Sequence, residues 1–148
     1  MASFQQSTIV SASPEKAFEY LADLTRHPEW AAHSLEVEPA SAAAAPAAVG
    51  SSVTTVGHMM GTHRATVKLT ELQPNQRIAY EAEDDTGHFR HWISISAARD
   101  GGAEITKGVE PVRTNLMLKL MTPLMPLMVS RGLRGDLQRI KERLEAYG

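Results

Sequence analysis

The sequence predicts a single α+β domain, residues 1–148, in which a curved antiparallel sheet of about seven strands packs against a long C-terminal helix. Two observations carry this. Between residues 50 and 110, turn signals at Met60-Gly61, Pro74-Asn75, Asp85-Thr86-Gly87 and Asp100-Gly101-Gly102 separate strand-like runs, which is the pattern of a meander. Near the end, Leu133, Leu137, Ile140, Leu144 and Tyr147 recur at helical spacing. Arg134, Asp136, Arg139, Lys141, Glu142, Arg143 and Glu145 fall on the wet side of that helix.

Residues 4–11 alternate loosely around Thr8, Ile9 and Val10 and read as the first strand. Ser13 then offers a cap, Pro14 suits the first helical position, and Glu15 complements the positive end of the helix dipole. Ala17, Phe18, Tyr20, Leu21 and Leu24 give this helix its apolar side. A second short helix within 23–30 is expected to end near His27-Pro28, with Trp30 plugging the join. A second strand spans 33–39, where Leu35 and Val37 alternate with Glu36 and Glu38, and the Ala/Pro/Ser stretch 40–48 is a loop. The meander runs are 52–59, 62–72, 77–84, 88–98 and 103–109. After Pro111 the pattern is helical. Pro123 and Pro126 should kink or restart the helix between a stripe of Met117, Met121, Met125 and Met128 and the terminal amphipathic segment.

Composition narrows the function classes. Hydrophobic residues make up 43% and charged residues 22% of the 148, the balance of a globular protein. A net charge of -2 gives no general affinity for nucleic acid phosphates. The absence of cysteine excludes disulfides and thiolate chemistry and suits a reducing cytoplasm, the expected location. Residues 1–10 carry no basic cluster followed by an apolar run, and no apolar stretch reaches the ~18 residues of a membrane span.

The run Ser13-Pro14-Glu15-Lys16-Ala17-Phe18-Glu19-Tyr20-Leu21-Ala22-Asp23 followed by Pro28-Glu29-Trp30 resembles the opening of the SRPBCC superfamily, the polyketide cyclase, START and birch-pollen-allergen group. Val49-Gly50, the segment from Val67-Lys68-Leu69 to Gln73-Pro74, and the segment from Leu137-Gln138-Arg139 to Leu144-Glu145 resemble its recurrent stretches, so the likeness spans nearly the whole chain. It implies a helix-grip fold with a hydrophobic cavity between sheet and helix, used by members to bind or carry lipids, hormones and quinones, and by some to cyclise polyketides. It implies no catalytic residue.

Strand alternation and hairpin register predict the lining of such a cavity. With Met60-Gly61 at a turn centre, His58 faces His63, Val56 faces Ala65, and Thr54 faces Val67. Further turns set Leu69 opposite Tyr80 and Val67 opposite Ala82, then Tyr80 opposite His91, Ile78 opposite Ile93, and Ala82 opposite Phe89. In the last strand, burial of Ile105 and Val109 at roughly 1.5–3 kcal/mol each favours the register that also turns Lys107 inward. The expected ligand-binding set is therefore His58, His63, Tyr80, His91, Lys107, Val56, Val67, Leu69, Phe89, Ile93, Met117, Met121, Met125 and Met128. The four methionines form an adaptable wall.

These residues point first to binding or transport of a small hydrophobic molecule without catalysis or cofactor. A second reading is a cyclase or dehydratase in which Tyr80 and His91 move protons. A third is an interaction module whose outward Trp92 meets a partner or a second copy, forming a homodimer. His58 with His63 has no third or fourth ligand beside it, so no metal is expected. Gly132 and Gly135 each cost the helix up to about 1 kcal/mol and suggest a close approach or a pliable section.

Overall fold

The computed structural model describes residues 4–31, 35–38, 48–58 and 61–147. Its strands are β1 (Phe4–Val10), β2 (Leu35–Val37), β3 (Ser52–His58), β4 (Thr62–Gln73), β5 (Arg77–Glu83), β6 (Gly87–Ala97) and β7 (Ala103–Thr114). They form one curved antiparallel sheet in the spatial order β1-β7-β6-β5-β4-β3-β2. Each strand from β3 to β6 pairs with the next through a short connection, while β1 lies beside β7. The predicted α+β architecture is the one observed. The 40–47 stretch and residues 32–34, 39 and 59–60, on which parts of the expected strands and loop fall, lie outside the described residues.

Helix α1 (Pro14–Ala22) begins as its sequence dictates. Ser13 Oγ accepts from the Lys16 amide at 3.2 Å, Pro14 opens the first turn, and Ala17, Tyr20, Leu21 and Ala22 are buried. Asp23 then caps a 3-10 turn, Leu24–Arg26, through the Thr25 amide. Helix α2 (His27–Trp30) follows with Pro28 in its first turn, so this proline opens the second helix rather than ending it. Proline lacks the amide proton that a first turn leaves unused.

The C-terminal region divides where its prolines demand. Asn115 caps α3 (Leu116–Leu120), a 3-10 turn covers Thr122–Leu124, and α4 (Met125–Tyr147) runs to the end of the described chain. Leu133, Leu137, Ile140 and Leu144 are buried as the periodicity predicts. They join Trp30, Leu21, Tyr80, Leu69, Ile78, Ile93 and Ile105 in the core between helices and sheet. The far end of α4 is tied to the first strand: Lys141 Nζ donates to the Ile9 carbonyl at 2.7 Å, and Glu145 accepts from the Ser11 amide and hydroxyl at 3.1 Å each. Hydrogen bonds from Lys141 and Ser11 hold the Glu145 carboxyl below the usual carboxylate range.

Two details of the strands differ from the sequence reading. Strand β7 continues five residues past Val109, through Pro111. Beyond Val109 it has no β1 partner among the described residues, and its register against β6 shifts between His88 and Phe89, so a residue without an amide proton is tolerated there. In the β3–β4 hairpin, His58 pairs with Thr62, leaving three residues between them, and Gly61 at φ +107° supplies the left-handed conformation such loops use.

Candidate functional site

The extra loop residue moves the β3–β4 register by one position, which turns every β3 side chain to the other face. Gly57, not His58, is opposite His63, and Val53 and Thr55 rather than Val56 and Thr54 face inward beside Val67 and Ala65. The expected His58–His63 pair therefore does not form. His58 lies on the outer face, with its Nε2 3.5 Å from Glu36 and its Nδ1 3.4 Å from the Thr62 hydroxyl. His63 keeps the inner-face parity of Val67 and Leu69, and its Nδ1 is 2.6 Å from Asp85. Val56, half-buried on the outer face, also leaves the predicted lining.

The other registers fall as the sequence predicts. Leu69 is opposite Tyr80 and Val67 opposite Ala82 before a bulge at Thr70. Tyr80 is opposite His91, Ile78 opposite Ile93, and Ala82 opposite Phe89. In β7, Ile105, Lys107 and Val109 are buried, with Lys107 opposite Ile93 and Val109 opposite His91. Three adjacent central strands thus bring Tyr80, His91 and Lys107 together on the inner face, with Val67, Leu69 and Ile93 packed around them and Phe89 half-buried beyond. The methionine stripe is split by the prolines: Met117 is exposed on α3, while Met121, just past the end of α3, and Met125 and Met128 on α4 are half-buried.

Lys107 is only 2% exposed, so its charge requires a partner. Asp136 of α4 supplies it, with Oδ2 3.2 Å from Lys107 Nζ. This corrects the placement of Asp136 on the wet side of the helix, which its charge alone suggests. Its position is one turn from both Leu133 and Ile140, at the edge of the buried stripe. A buried lysine in the sheet is the signal that an acid on that edge has to turn inward. Lys107 Nζ also stands 5.7 Å from the centre of the Trp30 ring, within cation–π range.

Aromatic rings complete the cluster. Tyr80 and His91 stack at 4.7 Å with their planes 5° apart, His27 stacks on Trp30 at 4.4 Å, and His27 meets Tyr80 edge-on at 5.8 Å. The Lys107 ammonium is a charged neighbour of the Tyr80 hydroxyl, which is buried and donates to no acceptor among the described residues. The Trp30 indole N–H is buried and has no acceptor among the described residues. Two buried donors of this kind are unusual, because each has given up water without full replacement.

Protonation follows from these neighbours. Burial pushes the Tyr80 phenol up, against the Lys107 charge that pulls it down, so Tyr80 is neutral at ordinary pH. Burial would lower Lys107, but its interactions with Tyr80 and Asp136 outweigh it and raise the ammonium pKa. Both folded values lie above their ordinary 10.0 and 10.5. The stability these groups contribute is therefore complete below about pH 10 and is lost as pH climbs through the raised values. The difference in urea-unfolding free energy between wild type and Tyr80→Phe should shrink above about pH 10, because only the wild type must then carry a phenol that resists ionisation. A difference that stays flat through that range would show that the phenol titrates as if exposed.

Space around the cluster is uneven. An added Cβ at Gly132, one turn before Asp136, would meet nothing within 4 Å, so of the two readings its sequence offers, a close approach or a pliable section, the close approach is not the one found. Met125, Val129, Gly132 and Asp136 follow one another at helical spacing along that edge of α4. Two grooves lie elsewhere. One of about 540 Å³ opens between the end of β1 and α4 beside Ser11, Arg99 and Lys141, and one of about 340 Å³ lies beside Glu29 and Gln138. None of the predicted lining residues borders either. Among the described residues, no three His, Cys, Asp or Glu side chains gather closely enough to hold a metal ion, and no helix is long and apolar enough to cross a membrane.

A sheet wrapped on a long C-terminal helix, with a polar cluster buried where they meet, defines a START-like helix-grip domain. The chain belongs to the polyketide cyclase / dehydrase and lipid transport family, whose model matches residues 1–145, and so to the SRPBCC superfamily. Among solved structures it is similar to a Thermus thermophilus protein, with a TM-score of 0.77, 18% identity and 99% of both chains covered. A Chromobacterium violaceum protein superposes with a TM-score of 0.75 at 18% identity, covering 97% of this chain and 96% of its own. A START superfamily protein of Mycobacterium smegmatis superposes with a TM-score of 0.74 at 12% identity over 99% of both chains. At these identities the likeness shows the fold alone. No curated protein matches the sequence.

Proposed function

We propose that the chain binds or carries a small, largely apolar molecule with one oxygen-bearing polar group, held between the inner face of the sheet and α4. The observation that carries this reading is the pair of buried donors, the Trp30 N–H and the Tyr80 O–H, beside the buried Lys107–Asp136 pair. Polar groups this deep cost stability unless something accepts from them. Both lack an acceptor among the described residues, so the complementary ligand atom is an oxygen such as a carbonyl, quinone or carboxylate. Val67, Leu69 and Ile93 make the surroundings of these donors apolar, and no side chain crowds Gly132 on the facing edge of α4. The family's description, which includes lipid transport, agrees with this chemistry.

The test is native mass spectrometry of gently purified protein, reading any retained lipid or quinone. Retained ligand is expected in the wild type. In Gly132→Leu, which adds a bulky side chain one turn before Asp136, binding should fall at least tenfold while the fold persists, since a helix tolerates leucine better than glycine. Absence of a retained molecule, together with no binding of a fatty acid and quinone panel, would sink the proposal.

The family's other activity, cyclisation or dehydration of a polyketide-like substrate, is supported by one observation. Tyr80 is held neutral beside a buried cation, the arrangement of a proton donor with a charge to steady a developing enolate. The face-to-face stacking of Tyr80 and His91 gives their rings no in-plane hydrogen bond, so the two act on a substrate separately rather than as a relay. The outward Trp92 supports an interaction role only weakly, because its ring lies flat over Gly108, where an added Cβ would come within 2.1 Å of it.

A further inference from the structure

From Pro111 to Gly135 the chain carries Arg113, Lys119, Arg131 and Arg134 and no acidic residue, while all 17 acidic residues lie outside this segment of a chain with net charge -2. The same segment holds most of the exposed large apolar side chains: Leu116 is 72% exposed, Leu120 74%, Leu124 55% and Leu127 53%. Isolated exposed leucines need no explanation, but successive ones along one short helix, a 3-10 turn and the start of α4 form a patch. In α4, Leu127, Arg131 and Arg134 follow at i, i+4 and i+7 on one exposed stripe, beside rather than within the buried stripe of Leu133, Leu137 and Ile140. Arg113 is held by Glu83 at 3.0 Å, whereas Lys119, Arg131 and Arg134 are exposed and make no ion pair among the described residues. Greasy tips with uncompensated cations one and two turns behind them match a surface that is apolar at depth and anionic above, which is a lipid headgroup layer.

We infer that the face formed by α3 and the first turns of α4 docks on anionic lipid bilayers, with Leu116, Leu120, Leu124 and Leu127 entering the interface and Lys119, Arg131 and Arg134 meeting the headgroups. The inference stands on surface chemistry and is independent of what the interior binds. Charge selects this occupant: a second copy would bring the same cations against these, which repel.

The experiment is co-sedimentation of the full chain with vesicles of phosphatidylcholine alone and of phosphatidylcholine with one third phosphatidylserine. Binding is expected to the anionic vesicles, weakening as salt rises. Arg131→Ser and Arg134→Ser should each weaken it about fivefold, the equivalent of one cation at a charged membrane. Leu120→Ser with Leu124→Ser should weaken it at least tenfold. All four positions are exposed, and circular dichroism confirms that each variant stays folded. No binding to anionic vesicles, or binding unmoved by both sets of substitutions, overturns the inference. So does a dimer in light scattering that these leucine substitutions dissolve, since the face would then be covered by its own copy.

Discussion

Removing the Asp136 carboxylate, as in Asp136→Ala, should destabilise the protein by about 3–5 kcal/mol, because it leaves the Lys107 ammonium buried without a counter-charge. The side chains of Lys107 and Asp136 are 3% and 14% exposed, so neither water nor a rearranged rotamer replaces the lost contact. Replacing the pair together, Lys107→Met with Asp136→Leu, should be far milder, near neutral or stabilising by about 1–4 kcal/mol, since no charge then remains to be desolvated. Urea denaturation of the three proteins separates the cases. A loss below about 1 kcal/mol in Asp136→Ala would mean that Lys107 reaches solvent and is no part of a buried cluster.

Trp30→Ala should cost about 3–5 kcal/mol, the range for deleting a large buried aromatic ring. The indole is 1% exposed, stacked on His27 and lying under the Lys107 ammonium, so its removal opens a void where α2, the sheet and α4 converge. For a domain of this size the thermal midpoint should fall by about 10 °C or more. Trp30→Phe keeps much of the volume and should lose appreciably less. Equal losses in the two variants would show that the volume Trp30 fills is not what sets its contribution.

These positions also show how far the sequence can be read. The β5–β6 register is legible because turn length and apolar alternation agree, and the β6–β7 register because burial of Ile105 and Val109 decides between loop lengths the turn leaves open, so Tyr80, His91 and Lys107 can be set on one face from the sequence alone. The β3–β4 hairpin misleads because Met60-Gly61 is compatible with loops of odd or even length, and one residue inverts a strand. That single ambiguity moves His58 and Val56 to the outer face. Asp136 is hidden by a correct rule: acids on an amphipathic helix are usually wet. Only the tertiary pairing with a lysine from another strand overrides it. Met117 falls away for a different reason, since a methionine stripe at helical spacing aligns only along an unbroken helix, and Pro123 and Pro126 divide this one. Pro28 illustrates the same residue in the opposite role, starting a turn where a stop is expected.

The clasp between Lys141, Glu145 and residues Ile9 to Ser11 joins parts of the chain separated by more than 130 positions. Contacts of such long range carry the largest loop-closure cost and reward it only when both ends are present. Strand β1 therefore gains its full anchorage only once the final turns of α4 have emerged from the ribosome. Clipping a few residues from the tail should loosen the head of the chain as surely as it shortens the helix.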